Sequence, residues 1–355
     1  MRPRRATLIA PYGRAPQLTP DLRLPHHPGV DRRRFLLTSL AGIIATPATG
    51  QGQPTKVARV GLLRPAPPSP EVPQILAAFT DGLREHGYGD GRNLAVDFRF
   101  PTRDGERLAD IAANLVRTHP EAILAAASSG VDAVRSATST IPIVALDLET
   151  DPLRSGIVQS LARPGGNVTG LFLDFPELGG KWLELLKEVS PKISRVAVFW
   201  DPATGRVPLE GAVAAGPSLR LQVQVIDARG PGDFEGAFLA ATRARVGGVL
   251  ALSSPVFNTH RRTLVDLAVR HRLPAIMPFP LFAHDGGLLA YGPDLIDLYR
   301  QGGAMVGRIL KGARPQEIPI ERPNQVRLVV NSKTARALGL TIPPSLLARA
   351  DQVIE

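Results

Sequence analysis

From Val57 onward the chain alternates short apolar runs with amphipathic stretches, and this alternation restricts the fold more than any other feature. Residues 57–63 form an apolar run that ends in a proline-rich loop, the pattern of a strand covered on both faces. A helix follows with Ile75, Leu76, Phe79 and Leu83 on one side, and residues 94–100 alternate as a strand. Leu108, Ile111, Ala112, Leu115 and Val116 keep the i, i+3, i+4, i+7, i+8 spacing of a helix with one buried stripe. Residues 122–127 and 141–148 read as strands on either side of a short helix over 131–137. A second block then repeats the alternation, with strands over 168–173, 195–200, 221–226, 246–252 and 275–277.

Two successive βα blocks predict an α/β protein with two doubly wound parallel-sheet lobes. The tail departs from the pattern: a strand over 288–291, a helix over 295–310, a strand over 326–330 and two short helices. Such a tail suits a chain that returns to the first lobe and crosses again, giving a hinge of crossing strands. The expected partition is 57–165 with 283–318 for lobe 1, and 166–282 with 319–355 for lobe 2.

The net charge of +10 raises the question of nucleic acid, and its placement answers it. Residues 1–56 hold nine of the 42 basic side chains and only two of the 32 acidic ones, so the body is close to neutral. A near-neutral body with 5% aromatic residues lacks the charge and the stacking surface that bind phosphates and bases, so no nucleic-acid partner is expected. The basic residues belong to a leader. Arg32, Arg33 and Arg34 precede the apolar run 36–45, which gives way to the small-residue stretch 45–50. That order is the order of a secretory signal, and the arginine pair resembles a twin-arginine export motif. The expectation is export to the periplasm, with cleavage near residue 50 and residues 1–56 as a leader with a disordered N-terminal extension. The chain has no cysteine, which excludes disulfides, thiolate metal sites and a lipid-bearing N-terminal cysteine.

In open parallel sheets, ligands bind beyond the carboxyl ends of the strands. That rule selects Arg64 after the first strand, Ser128 and Ser129 after the third, and Asp147 and Glu149 after the fourth. In the second block it selects Asp174 and Phe175, Asp201, and Ser253, with Tyr291 in the tail. Ser128-Ser129-Gly130 leads into a helix whose free N–H groups suit a carboxylate, though Ser129 as a simple cap is the competing reading. Asp147 or Glu149 suits a ligand ammonium group, or merely faces solvent. Asp201 before Pro202 suits a ligand contact or a turn. Phe175 and Tyr291 offer rings for stacking, or fill the core. The chain carries no G-x-S-x-G, G-x-G-x-x-G, P-loop or H-E-x-x-H pattern, and its histidines are not paired at metal-ligand spacing. The reading therefore contains no catalytic residue, no metal ligand and no cofactor.

Several stretches together resemble a known family. They include Gly87-Tyr88 with Gly91-Arg92-Asn93, Thr138-Ser139-Thr140-Ile141-Pro142, and Ser160-Leu161-Ala162-Arg163-Pro164-Gly165-Gly166-Asn167-Val168-Thr169-Gly170. Tyr291-Gly292, Tyr299-Arg300 and Leu338-Gly339-Leu340-Thr341-Ile342-Pro343 extend the match toward the end. From about Val57 to Glu355 the chain resembles ABC-transporter substrate-binding proteins of the tryptophan/tyrosine-binding type. The resemblance implies a type I periplasmic-binding fold and a small-molecule ligand, an amino acid or a related compound, held between two lobes. It also implies an ABC permease and ATPase as partners, and a monomeric receptor rather than an enzyme. A sensory module for a membrane receptor, or an enzyme on the same scaffold, are the alternatives.

Overall fold

Strands that are apolar on both faces need helices on both sides, and the two sheets satisfy that need in the same way. The computed structural model describes residues 56–102, 106–172 and 176–355. The twin-arginine motif and the cleavage region lie outside the described residues, as do Asp174 and Phe175. In the first lobe the chain runs β1 (Ala58–Leu63), α1 (Val72–Arg84), β2 (Leu94–Arg99), α2 (Leu108–Val116), β3 (Ala122–Ala126), α3 (Ala127–Ala137), β4 (Ile143–Asp147) and β5 (Val168–Phe172). These strands form one parallel sheet in the order β2-β1-β3-β4-β5. β3, β4 and β5 are buried along their whole length.

The second lobe runs α4 (Pro176–Val189), β6 (Arg195–Trp200), α5 (Val207–Ala215), β7 (Gln222–Asp227), α6 (Pro231–Arg243) and β8 (Val249–Ala251). It continues with α7 (Pro255–Thr259), α8 (Arg261–Arg270), β9 (Ala275–Met277), α9 (Pro280–His284) and β10 (Leu289–Gly292). Helix α10 (Leu295–Leu310) follows, then β11 (Arg327–Asn331), α11 (Ser332–Ala337), α12 (Pro344–Arg349) and β12 (Gln352–Ile354). The second sheet has the order β12-β11-β10-β9-β8-β6-β7, parallel except where β11 meets β10.

α10 is the element that ties the lobes together. It leaves the second sheet after β10, with Asp294 capping its start by accepting from the N–H of Ile296 at 2.9 Å. It then lies along α1 and against β3 and β4 of the first lobe. The two helices touch backbone to backbone. A Cβ on Gly82 would sit 2.0 Å from the carbonyl oxygen of Arg300, and one on Gly303 would sit 2.1 Å from that of Phe79. Beyond α10 the chain passes along β5, where Thr169 Oγ1 donates to the carbonyl of Ile318 at 2.9 Å, and then re-enters the second sheet.

Two sheet memberships differ from the partition expected above. Residues 168–172, read as opening the second lobe, close the first sheet beside β4. The Pro164-Gly165-Gly166 turn breaks the pattern of hydrophobicity, but it lies in the connection between two parallel strands of one sheet rather than between sheets. Conversely β10, read as part of lobe 1 because that segment was set to begin at residue 283, belongs with the second sheet, where it pairs with β9 and β11. Among the described residues no helix is long and apolar enough to cross a membrane.

Candidate functional site

The carboxyl ends of β1, β3 and β4 face those of β8 and β9, and α10 closes the space between them. The cavity of about 50 Å³ is lined by Arg64, Pro65, Ala126, Ala127, Leu146, Leu148 and Glu149 from the first lobe. Ser253, Pro255, Asn258 and Phe279 line it from the second, and Leu295, Leu298 and Tyr299 from α10. The walls are mostly apolar with a few polar groups, the usual composition of a small-molecule site.

Arg64 is the cation of the site. Its Nη1 donates to the carbonyl of Pro67 at 2.9 Å, and its Nη2 reaches Thr259 Oγ1 across the cleft at 3.5 Å. It is buried, yet among the described residues no carboxylate forms an ion pair with it. Beside it lies Tyr299. Burial pushes the Tyr299 hydroxyl up, and the charge and hydrogen bond of Arg64 offset part of that.

Glu149 is the opposing acid. Its Oε2 accepts from the N–H of Ser128 at 3.1 Å, and its Oε1 accepts from Ser253 Oγ at 2.6 Å, so one carboxyl links the two lobes. Burial, then the adjacent charge of Asp147, pushes Glu149 up to about 8, with its two hydrogen bonds pulling the other way. Asp147 is itself raised by burial, although its Oδ1 accepts from the N–H groups of Glu149 at 3.0 Å and Thr150 at 3.1 Å. Its Oδ2 is buried without a hydrogen-bond partner. Two buried carboxyl groups two residues apart favour keeping one proton on the pair over ionising both.

The start of α3 is already taken. β3 turns straight into α3 through Ala127, whose φ of 58° is rare for a residue with a side chain. Ser128 and Ser129 therefore sit in the first turn of a helix that begins earlier than the 131–137 expected from sequence. Neither serine caps it. Ala126 holds the cap position without a side-chain bond, and Glu149 supplies the negative group at the helix start. The seat assigned to a ligand carboxylate from sequence is occupied by the protein's own carboxyl.

The remaining candidates divide. Ser253 lines the cavity. Asp201 does not: its Oδ1 accepts from the N–H of Ala203 at 2.9 Å and its Oδ2 accepts from Ser254 Oγ at 2.7 Å, a network that caps α7. Tyr291 packs against the apolar core of the second lobe, and its carbonyl accepts from Trp182 Nε1 at 2.6 Å. Phe279 and Tyr299 are the rings that reach the cavity, and Asn258 adds an amide. The signal for Tyr299 was present as an apolar face Leu295, Leu298, Tyr299 at helical spacing. Which lobe that face meets depends on a crossover that periodicity does not reveal. The loops also meet closely across the cleft, since a Cβ on Gly205 would lie 2.1 Å from the carbonyl oxygen of Glu149. Among the described residues no group of three or more histidine or acidic side chains gathers as a metal site.

A profile of the family described as ABC transporter substrate binding protein matches residues 69–354. The chain belongs to that family. The match spans both lobes and α10, and all of the two-sheet body except β1. It is 25% identical over 274 residues to a tyrosine-binding protein of Clostridioides difficile, covering 76% of this chain and 78% of the relative. An ABC domain from Streptococcus pneumonia, solved in complex with L-Trp, superposes with a TM-score of 0.75 at 26% identity, covering 84% of this chain and all of that one. A conserved domain protein from Vibrio cholerae gives a TM-score of 0.77 at 26% identity, with the same coverage. These likenesses make the fold a type I periplasmic-binding fold.

Proposed function

We propose that the protein is an extracytoplasmic receptor that captures an amino acid or a closely related compound between its lobes and delivers it to an ABC permease and ATPase. The observation that carries this reading is a buried Arg64, with no ion-paired carboxylate among the described residues, and a buried Glu149 on the walls of one mostly apolar cavity. A zwitterion with an apolar side chain matches a cation on one wall and, on the other, a carboxyl that an ammonium group would ionise. Arg64 would take the ligand carboxylate, Glu149 and Ser253 the ammonium group, and Phe279, Leu298 and Tyr299 the side chain. Ser128 contributes through its N–H, which holds Glu149. The relatives named for tyrosine and solved with L-Trp support an aromatic or large apolar side chain.

Walls from both lobes and from α10 surround the cavity, so an amino acid enters when the lobes part, and its contacts to both lobes then favour closure. Export fits the leader: a twin-arginine signal with cleavage near residue 50, releasing a monomeric receptor to the periplasm.

Calorimetric titration of the mature protein with L-tyrosine, L-tryptophan and L-leucine tests the reading. Micromolar binding of at least one is expected, equivalent to about 8 kcal/mol. Tyramine, which lacks the carboxylate, and phenylpropionate, which lacks the ammonium group, should each bind at least tenfold more weakly. Absence of binding across a full amino-acid panel overturns the reading.

A further inference from the structure

Among the described residues, the most buried ion-pair cluster outside the cavity lies where the lobes meet. Arg261, the first residue of α8, has a side chain only 7% exposed. Its Nη2 donates to Glu71 Oε1, its Nε lies 2.6 Å from Asp285 Oδ2, and its Nη1 donates to the carbonyl of Asn258 at 3.0 Å. Asp285 and Asn258 are on the same lobe as Arg261. Glu71 is on the other, at the end of the β1–α1 loop that carries Arg64.

Glu71 stands at the cap position of α1, but its side chain makes no capping bond there. Its local position therefore does not account for its burial. Burial alone would raise its carboxyl, yet the hydrogen bond from Arg261 and the Arg261 charge hold it below the ordinary range. Within its own lobe Arg261 already has a carboxylate in Asp285. The second acid is present only because the lobes touch.

We propose that Glu71 and Arg261 form a latch across the cleft that positions the cavity walls. Through Arg261 the latch fixes Asn258, which lines the cavity. Through Glu71 it seats the loop whose Arg64 reaches Thr259. Neither Glu71 nor Arg261 lines the cavity. Parting the lobes returns Glu71 to water and leaves Arg261 with Asp285, so the pair contributes to the closed form alone. This inference goes beyond the ligand assignment and rests on it only in requiring a cleft that opens.

The chain has no cysteine, so a spin-label pair at Asn114→Cys and Gln224→Cys reports one distance between the lobes without background. In the ligand-free protein a measurable short-distance population is expected, and Glu71→Gln and Arg261→Gln should each deplete it. With L-tyrosine and L-tryptophan as probes, each variant should bind ten- to a hundredfold more weakly, mainly through faster release. The ratio of the two affinities should not change. The double variant should be no worse than the weaker single one, because the two residues act as a pair. Far-ultraviolet circular dichroism confirms the fold, and Glu71→Asp serves if Arg261→Gln fails to fold. A ligand-free wild type without the short distance overturns the latch, and so do variants that lose melting temperature but keep wild-type distances and affinities. Failure of the wild type to bind either probe counts against the proposed function, while the ligand-free distances still decide the latch.

Discussion

Replacing Glu149 by glutamine should make the ligand-free protein more stable at slightly alkaline pH, although it alters a carboxyl that accepts two hydrogen bonds. Glu149 is fully enclosed, and burial together with Asp147 raises it to about 8. In the unfolded chain the same group titrates in the ordinary carboxylate range. Between those two points the folded protein holds a proton that the unfolded chain has lost. Its stability is therefore fully present at low pH and declines as pH rises through the window. One proton contributes at most about 1.4 kcal/mol per pH unit, so a window of this width has a ceiling of about 5 kcal/mol. Sharing of the proton with Asp147 reduces the expected effect to roughly 2 kcal/mol at pH 8.

Glutamine removes the titration and keeps the shape. Its Oε1 can still accept from the N–H of Ser128, and its amide can donate to Ser253 Oγ, which reverses its role. Urea unfolding of wild type and Glu149→Gln at each half pH unit from 5 to 8 measures the difference, in which titrating groups other than Asp147 cancel. The difference should start at or below zero near pH 5 and rise in favour of the variant toward pH 8. A variant less stable by a constant amount at every pH would refute the reasoning, because Glu149 would then be ionised without penalty.

Three further outcomes follow from the same geometry. A ligand ammonium group favours the ionised form of Glu149, so binding should release a proton and affinity for L-tyrosine should rise from pH 6 to 8. Calorimetry in buffers of different ionisation enthalpy reads that release directly. Gly205→Val should prop the cleft open, since its Cβ would fall 2.1 Å from the Glu149 carbonyl oxygen; affinity should fall at least tenfold with circular dichroism unchanged. Gly303→Ala should separate α10 from α1 and destabilise by about 1–3 kcal/mol or more, measured by chemical unfolding.

The strands were legible because burial on both faces leaves an unmistakable apolar run, as in 122–126 and 143–147. Sheet membership was not, because β5 reads the same whether it closes one sheet or opens the next. The C-terminal-end rule selected Arg64, Glu149 and Ser253, which line the cavity and which we propose contact the ligand. It also offered Asp201, whose carboxyl is spent on capping, because a sequence does not show which polar groups already have partners. Tyr291 and Tyr299 show the same limit for aromatic residues. Both lie near the crossover, and only the path of α10 decides which ring faces the cleft. The role of Glu149 at the start of α3 was hidden because its partner, the Ser128 N–H, is a backbone group 21 residues away.

The most direct measurement is mass spectrometry of small molecules released by mild denaturation from purified wild type and from Arg64→Met. The wild type should yield an unmodified compound bearing both a carboxylate and an ammonium group, near one per chain, and the variant should yield little or none. Equal loading of both proteins, or a released compound without a carboxylate, would contradict the account.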